Sequence, residues 1–285
     1  MQRLQTLVPF ALVMAIIAVS SAFAAPHAKV CGQVVSIATH DQTTTRYSLA
    51  TTQGSAQAAP VTVLLLVGGG GNPVLDEHGC ATNLLGNSLI RMIPLLHAAG
   101  FATALADAPS DHASGEGLAG FRIAAEHADD LGRLVSDLRQ RVKGPVWILG
   151  TSRGTISAAN AAARSQGAAA PDGIVLTSVL MVGDPTARKR WVGQTVFDLP
   201  LENIKLPLLA VGHADDGCTR SPAEEMPKLM QRITSARQQA VTVMGGKGAR
   251  SSGLEACEGK SPHGFWGQEA ELVNGIARFI GGGSY

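Results

Sequence analysis

Gly150-Thr151-Ser152-Arg153-Gly154 follows the apolar run Pro145-Val146-Trp147-Ile148-Leu149 and leads into an alanine-rich, helix-favouring stretch over residues 155–164. The pattern reads as a strand, a sharp turn with a serine at its apex, and a helix. A residue at the tip of so tight a turn sits in strained backbone. The residues two before and two after it must be small so that strand and helix can approach each other. The helix that begins here directs its first N–H groups and the positive end of its dipole at Ser152, which favours negative charge developing beside that side chain. The alternative, an ordinary glycine-rich turn, does not call for a strand on one side and a helix on the other.

Outward from this turn, apolar runs of strand length alternate with helix-like stretches from residue 61 onward. That alternation marks an α/β chain with a mostly parallel central sheet and helices on both faces. Residues 61–67 are continuously apolar, as expected of a strand buried on both sides. Residues 88–99 predict a helix closed by Gly100 and kinked at Pro94, followed by a strand over 101–106. Residues 122–142 place Ile123, Leu131, Leu134, Val135 and Leu138 near one face, the pattern of an amphipathic helix. Beyond the serine turn, strands are expected at 174–180, 206–211 and 240–244, with helices near 222–237 and 268–280. Ahead of residue 61, 34–38 and 46–49 give a weaker signal for a leading hairpin. The final Gly281-Gly282-Gly283-Ser284-Tyr285 reads as a flexible tail.

Arg3, the apolar residues 7–19 and Ser20-Ser21-Ala22-Phe23-Ala24 form the three parts of a secretory signal peptide, with Ala22-Phe23-Ala24 fitting the cleavage pattern. The apolar run is shorter than the ~20 residues a spanning helix needs. The expectation is a leader over 1–24, export to the periplasm or extracellular space, and one domain over 25–285 with no stable membrane insertion. The 23 Lys and Arg nearly balance the 22 Asp and Glu, and Arg3 leaves with the leader, so nothing biases the chain toward nucleic acid or an anionic membrane. The basic run Arg188-Lys189-Arg190 reads as a solvated loop. All four cysteines lie beyond the leader, and an even count in an exported chain reads as disulfides. Of the three connectivities, Cys31 with Cys80 and Cys218 with Cys257 is the one expected. No pair has C-x-x-C spacing and no His, Cys and carboxylate cluster has ligand spacing, so neither metal nor organic cofactor is implied.

The serine turn and the order of elements resemble the α/β-hydrolase superfamily over nearly all of residues 25–285. In that family a G-x-S-x-G turn carries a nucleophilic serine, and the glycine-rich loop after an earlier strand supplies an N–H to an oxyanion hole. Carried onto this chain, the resemblance implies Ser152 as nucleophile. The oxyanion donors would be Gly69 or Gly70, from Gly68-Gly69-Gly70-Gly71, together with Arg153. It implies an acid in the loop after the strand at 206–211. Counting from Gly212 selects Asp215; counting from Pro207 selects Asp216, which is preferred because His213 occupies the position where the family usually has glycine. It implies His263, in Ser261-Pro262-His263-Gly264-Phe265, as the base, last in the order Ser, Asp, His. A Cys218–Cys257 bond would then join the acid loop to the base loop. Other histidines read as surface or helix-face residues, with His78 and His213 near enough to the site loops to be considered as substrate contacts. Asp107 and Asp111 lie at the edge where the family often places an aspartate, though turn formation explains them equally well. The stretch 181–204, where the family inserts its cap, is short, which suggests an open site with Trp191 and Phe197 against substrate or, equally, in the core.

The expected function is an exported serine hydrolase cleaving a carboxylic ester, or a thioester, lactone or amide, of a small acyl substrate through an acyl-enzyme on Ser152. A serine peptidase or acyltransferase, or a non-catalytic binding module on the same fold, are the alternatives. The sequence leaves substrate and oligomeric state open.

Overall fold

A computed structural model of the protein describes residues 30–51, 60–248 and 251–285; the leader expected over 1–24 lies outside the described residues. Eight strands form one sheet: β1 (Gln33–Ala38), β2 (Thr44–Ala50), β3 (Thr62–Leu66), β4 (Ala102–Ala106), β5 (Val146–Thr151), β6 (Gly173–Thr177), β7 (Leu208–His213) and β8 (Gln238–Val243). Their spatial order is β1-β2-β4-β3-β5-β6-β7-β8. The hairpin β1–β2 and the pair β2–β4 are antiparallel; every other pair is parallel. The mostly parallel α/β architecture expected from the alternating pattern is therefore the observed one.

Among the described residues five α-helices cover the sheet: α1 (Ser88–Ala98), α2 (Ala125–Val142), α3 (Gly154–Arg164), α4 (Met226–Arg232) and α5 (Glu269–Ile280). Alternate strand residues divide the core in two, as the period of two along a strand requires. Leu64, Ile148, Leu176 and Leu208 face Leu134 and Leu138 of α2, Ile156 of α3 and Leu229 of α4. Val63, Leu65, Leu149, Val175 and Leu209 face Leu89 and Met92 of α1 and Ile276 and Phe279 of α5. Each of these side chains is fully or almost fully buried, so truncating Leu134 to Ala costs about 2–5 kcal/mol. Trp147 fits between sheet and α5 because its strand neighbour is Gly173, where a Cβ would lie 2.4 Å from the indole.

Three local expectations give way to tertiary contacts. α2 begins at Ala125 rather than residue 122, because Ala124 is extended and Asn160 Nδ2 of α3 donates to the carbonyls of both Arg122 (3.0 Å) and Ala124 (2.7 Å). α4 is only Met226–Arg232, with Ile233 already extended. The C-terminal tail is docked: Tyr285 packs over Gly275, its N–H donates to Gln239 (2.9 Å), and burial raises its hydroxyl pKa to about 12. The connection from β6 to β7 holds three short 3-10 turns and no α-helix. No helix among the described residues is long and apolar enough to cross a membrane.

Candidate active site

β5 ends at Thr151, α3 starts at Gly154, and Ser152 between them has φ 52°, a left-handed conformation that is uncommon for serine. The glycines around it are required by close backbone approach. A Cβ on Gly150 would sit 2.5 Å from the Gly154 carbonyl oxygen, and one on Gly154 would sit 2.0 Å from that of Leu66. A Cβ on Gly68 would come within 3.0 Å of the Ser152 Cβ itself. The Ser152 N–H donates to the Thr177 carbonyl (2.9 Å), while the Thr155 hydroxyl donates to the Ser152 carbonyl (2.6 Å) and accepts from Leu180 N–H (3.1 Å). The strained turn is thus held from both the strand and helix sides.

His263 lies on a short 3-10 turn, Pro262–Gly264, whose preceding Ser261 hydroxyl accepts from the His263 N–H (3.1 Å). The turn is pinned from outside itself. Ser178 Oγ donates to the His263 carbonyl (2.6 Å), and Arg91 of α1 donates to the carbonyls of Gly259 (3.0 Å) and Gly264 (2.7 Å) while pairing with Glu269. His263 Nδ1 lies 2.9 Å from Asp216 Oδ2, and both side chains are almost completely buried, at 4% and 1% exposure. The Asp216 carboxylate also accepts from the Cys218 N–H (2.9 Å) and the Ser221 hydroxyl (3.0 Å), and Ser221 Oγ is itself 3.0 Å from His263 Nδ1. Three groups therefore share one point. A carboxylate accepts only, so the proton sits on Nδ1, and the buried Nε2, which has no hydrogen-bond partner among the described residues, keeps its lone pair.

Of the two adjacent aspartates, Asp216 bonds the histidine; the Asp215 N–H donates to Nδ1 of His213 (3.0 Å). The disulfides are Cys31–Cys80 and Cys218–Cys257, the latter joining the loop of Asp216 to the segment just ahead of His263 with Cα atoms 4.7 Å apart.

Ser152 and His263 line one cleft of ≈ 320 Å³, bounded by Gly68, Gly69, Asn87, Glu258 and Gly259. Gly69 (φ +56°) borders it, whereas the Gly70 carbonyl accepts from Leu118 N–H (2.9 Å) and packs on Gly117. Beneath this loop lies Arg122, fully buried, donating to the carbonyls of Val67 and Gly69 (both 3.2 Å) and to Ser157 Oγ (2.7 Å). Burial, then the charge of Arg153, lowers the Arg122 pKa to about 9. Arg153 caps the start of α3, where the first N–H groups have no intrahelical acceptor. Its guanidinium lies 4.0 Å from the Trp191 ring centre, and burial, then Arg220, brings its pKa to about 10.

Sequence reading did not find Ser221, Ser178 or Arg122; a lone serine or arginine carries no pattern, and each acts through contacts 35 or more residues away. Other expectations change role. His213 is 1% exposed, bonded to Gln268 (2.7 Å) and packed on Phe265, so it is a core residue rather than a substrate contact. His78 lies beside the Cys31–Cys80 disulfide, in a groove separate from the Ser152 cleft. Phe197 packs on the core, and Asp107 accepts from Leu75 N–H in a buried setting that raises its pKa.

No family model matches the chain, and no curated protein sequence does. Solved structures do match. Est1E from Butyrivibrio proteoclasticus is 15% identical with a TM-score of 0.57, over 87% of this chain and 98% of that one. An α/β serine hydrolase homologue from Coxiella burnetii is 14% identical with a TM-score of 0.56, covering 88% and 99%. An α/β serine hydrolase without lid from Xanthomonas campestris is 14% identical with a TM-score of 0.54, covering 87% and 92%. Identities this low speak to architecture, and together with the strand order they establish that the chain has the α/β-hydrolase fold.

Proposed function

We propose that the protein is an exported serine hydrolase that cleaves a carboxylic ester through an acyl-enzyme on Ser152. The observation that carries this reading is the left-handed Ser152 facing a cleft shared with His263, whose other ring nitrogen is held by buried Asp216. In the first step Ser152 Oγ attacks the ester carbonyl and His263 Nε2 takes its proton. Asp216 holds the imidazole tautomer and stabilises the imidazolium. The N–H groups of Gly69 and Arg153 receive the oxyanion, with Arg122 fixing the Gly69 loop by its carbonyls so that the donors need no reorganisation. His263 then protonates the departing alcohol. Water then attacks the acyl carbonyl as it gives a proton to Nε2, and collapse of the tetrahedral intermediate breaks the Ser152 Oγ–acyl bond while Nε2 returns that proton to Oγ, releasing the acid.

The esterases and serine hydrolases among the structural neighbours support ester cleavage, and the two disulfides support an oxidising compartment. The short β6–β7 connection suits an uncapped site open to small acyl substrates.

The test is hydrolysis of p-nitrophenyl esters from acetate to octanoate under non-reducing conditions, beside Ser152→Ala. Turnover by the parent that the variant lacks, with fluorophosphonate labelling of Ser152, is the expected result. Absence of both turnover and labelling removes the reading and leaves a binding module. Faster transfer to an added amine or alcohol than to water points to an acyltransferase.

A further inference from the structure

On another part of the same sheet edge, three side chains from two segments converge. His40 stands in the β1–β2 turn, and Asp111 and His112 in the loop after β4. His40 Nε2, one Asp111 carboxylate oxygen and a His112 ring nitrogen all lie within 4.8 Å of one another. His40 Nε2 is 3.1 Å from Asp111 Oδ2, and His112 Nε2 is 3.5 Å from the same oxygen. Ligand atoms around a tetrahedral ion bound at about 2.0–2.1 Å stand about 3.3 Å apart, so these separations bracket the value such an ion needs.

The second feature is what holds the far side of each ring. Metal-binding histidines usually donate their other N–H to a carboxylate or a backbone carbonyl, which fixes the tautomer and aims the lone pair. Both histidines do so. His40 Nδ1 donates to Asp130 Oδ2 (2.6 Å), and the same carboxylate, on a residue 2% exposed, accepts the His40 backbone N–H (2.8 Å). His112 Nδ1 donates to the Gly117 carbonyl (3.3 Å). Phe121 packs against both rings from one side, 4.3 Å from His112 and 4.7 Å from His40, and restrains both. The side chains are 12%, 42% and 28% exposed for His40, Asp111 and His112, so an ion has an entry path and a solvent position.

We propose that His40, Asp111 and His112 form a divalent metal site, with Zn²⁺ the ion its two nitrogens and one carboxylate oxygen suit best and water as fourth ligand. Binding exchanges the proton that His40 Nε2 shares with Asp111 for the ion. Among the described residues the other comparable group, Asp216, Cys218 and His263, has its sulfur committed to a disulfide. Spacing along the chain conceals the site, because His40 is 71 residues from Asp111. The ion would clamp the β1–β2 turn to a loop that continues into Gly117 and Leu118, and so into the brace on Gly70. Its role is structural support of the Gly69 loop, and it stands independently of the chemistry assigned to Ser152.

Calorimetric titration of the EDTA-dialysed protein with ZnCl₂ tests the site, together with visible absorption on adding Co²⁺. One ion per chain is expected, with tetrahedral Co²⁺ bands and a melting temperature that rises with zinc. Asp111→Asn and His112→Gln, both on partly exposed side chains, should each weaken uptake about tenfold or more, an effect at least that of losing an outer partner. His78→Gln should leave it unchanged. Absent uptake in the parent, or uptake in both Asp111→Asn and His112→Gln equal to the parent's, overturns the site and leaves the cluster a hydrogen-bonded bracket.

Discussion

Among the described residues two histidines have Nδ1 held by a buried carboxylate: His263 by Asp216 at 2.9 Å, and His40 by Asp130 at 2.6 Å. In each pair the aspartate removes one ring nitrogen from play and directs the other. The pairs differ in what stands opposite Nε2. Before His263 lies a cleft with a strained serine on its wall, and Nε2 has no hydrogen-bond partner among the described residues. Before His40 lie a carboxylate and a second imidazole. A His–Asp pair is thus a device for aiming a lone pair, and under the two proposed roles its use follows from the target: a hydroxyl proton in one place, an ion in the other. The supports differ as well. The first pair is tied by a disulfide and by hydroxyl or arginine contacts of Ser178, Ser221 and Arg91 to the His263 turn; the second is held by the Phe121 ring 4.7 Å from His40 and by the His40 backbone N–H donating to Asp130.

The comparison breaks first at Ser152. Ser152→Ala and His263→Ala should each reduce kcat for a p-nitrophenyl ester by about 10⁴-fold or more, the two losses being similar because the groups act as a unit. A loss of only about tenfold or less in either variant would place the chemistry elsewhere. Next, Asp216→Asn is expected to lower kcat about 10⁴-fold through the wrong tautomer, whereas Asp130→Asn should leave it within about tenfold and instead lower stability by about 1–3 kcal/mol in urea unfolding. Equal effects on turnover would mean that the two pairs are not functionally distinct. Replacing Cys218 and Cys257 together by Ser should cost about 2–4 kcal/mol of stability and reduce kcat more than KM changes, since the acid and base loops then drift apart. The smallest effect is assigned to Ser221. Its hydroxyl positions the pair rather than touching substrate, so Ser221→Ala should lower kcat about tenfold at constant KM, with recovery in Ser221→Thr. An unchanged kcat in the alanine variant would reduce Ser221 to a packing residue.

Much of the first pair was legible in the sequence because its parts carry local patterns. Ser152 sits in a five-residue motif between a strand and a helix, and His263 stands in a loop between the last strand and last helix. Asp216 was harder. Neighbouring aspartates follow β7, and only the geometry of the turn, with Asp215 N–H folded back on His213, decides which carboxylate reaches the imidazole. The second pair left no trace, as 90 residues separate His40 from Asp130 and each looks like a surface residue on its own element. The helix expected from residue 122 starts late for a related reason. Counting a charged residue into the start of a helix assumes that it faces solvent, yet here Asn160 captures the carbonyls around it and the guanidinium turns inward to the Gly69 loop. The fold survives such errors because alternating apolar strands determine the sheet independently of where any helix begins.

The chain has three tryptophans, and their settings make it an optical instrument. Trp147 is sealed between sheet and α5 with its ring edge-on to Phe279, so its emission follows the integrity of the interior. Trp266 lies under the Arg91 guanidinium that pins the histidine loop. Trp191 lies against Arg153, one residue from Ser152, and rests on no part of the central core. Intrinsic fluorescence of variants retaining one indole at a time would therefore separate melting of the whole, loosening of the His263 loop and rearrangement around Arg153, with no label attached.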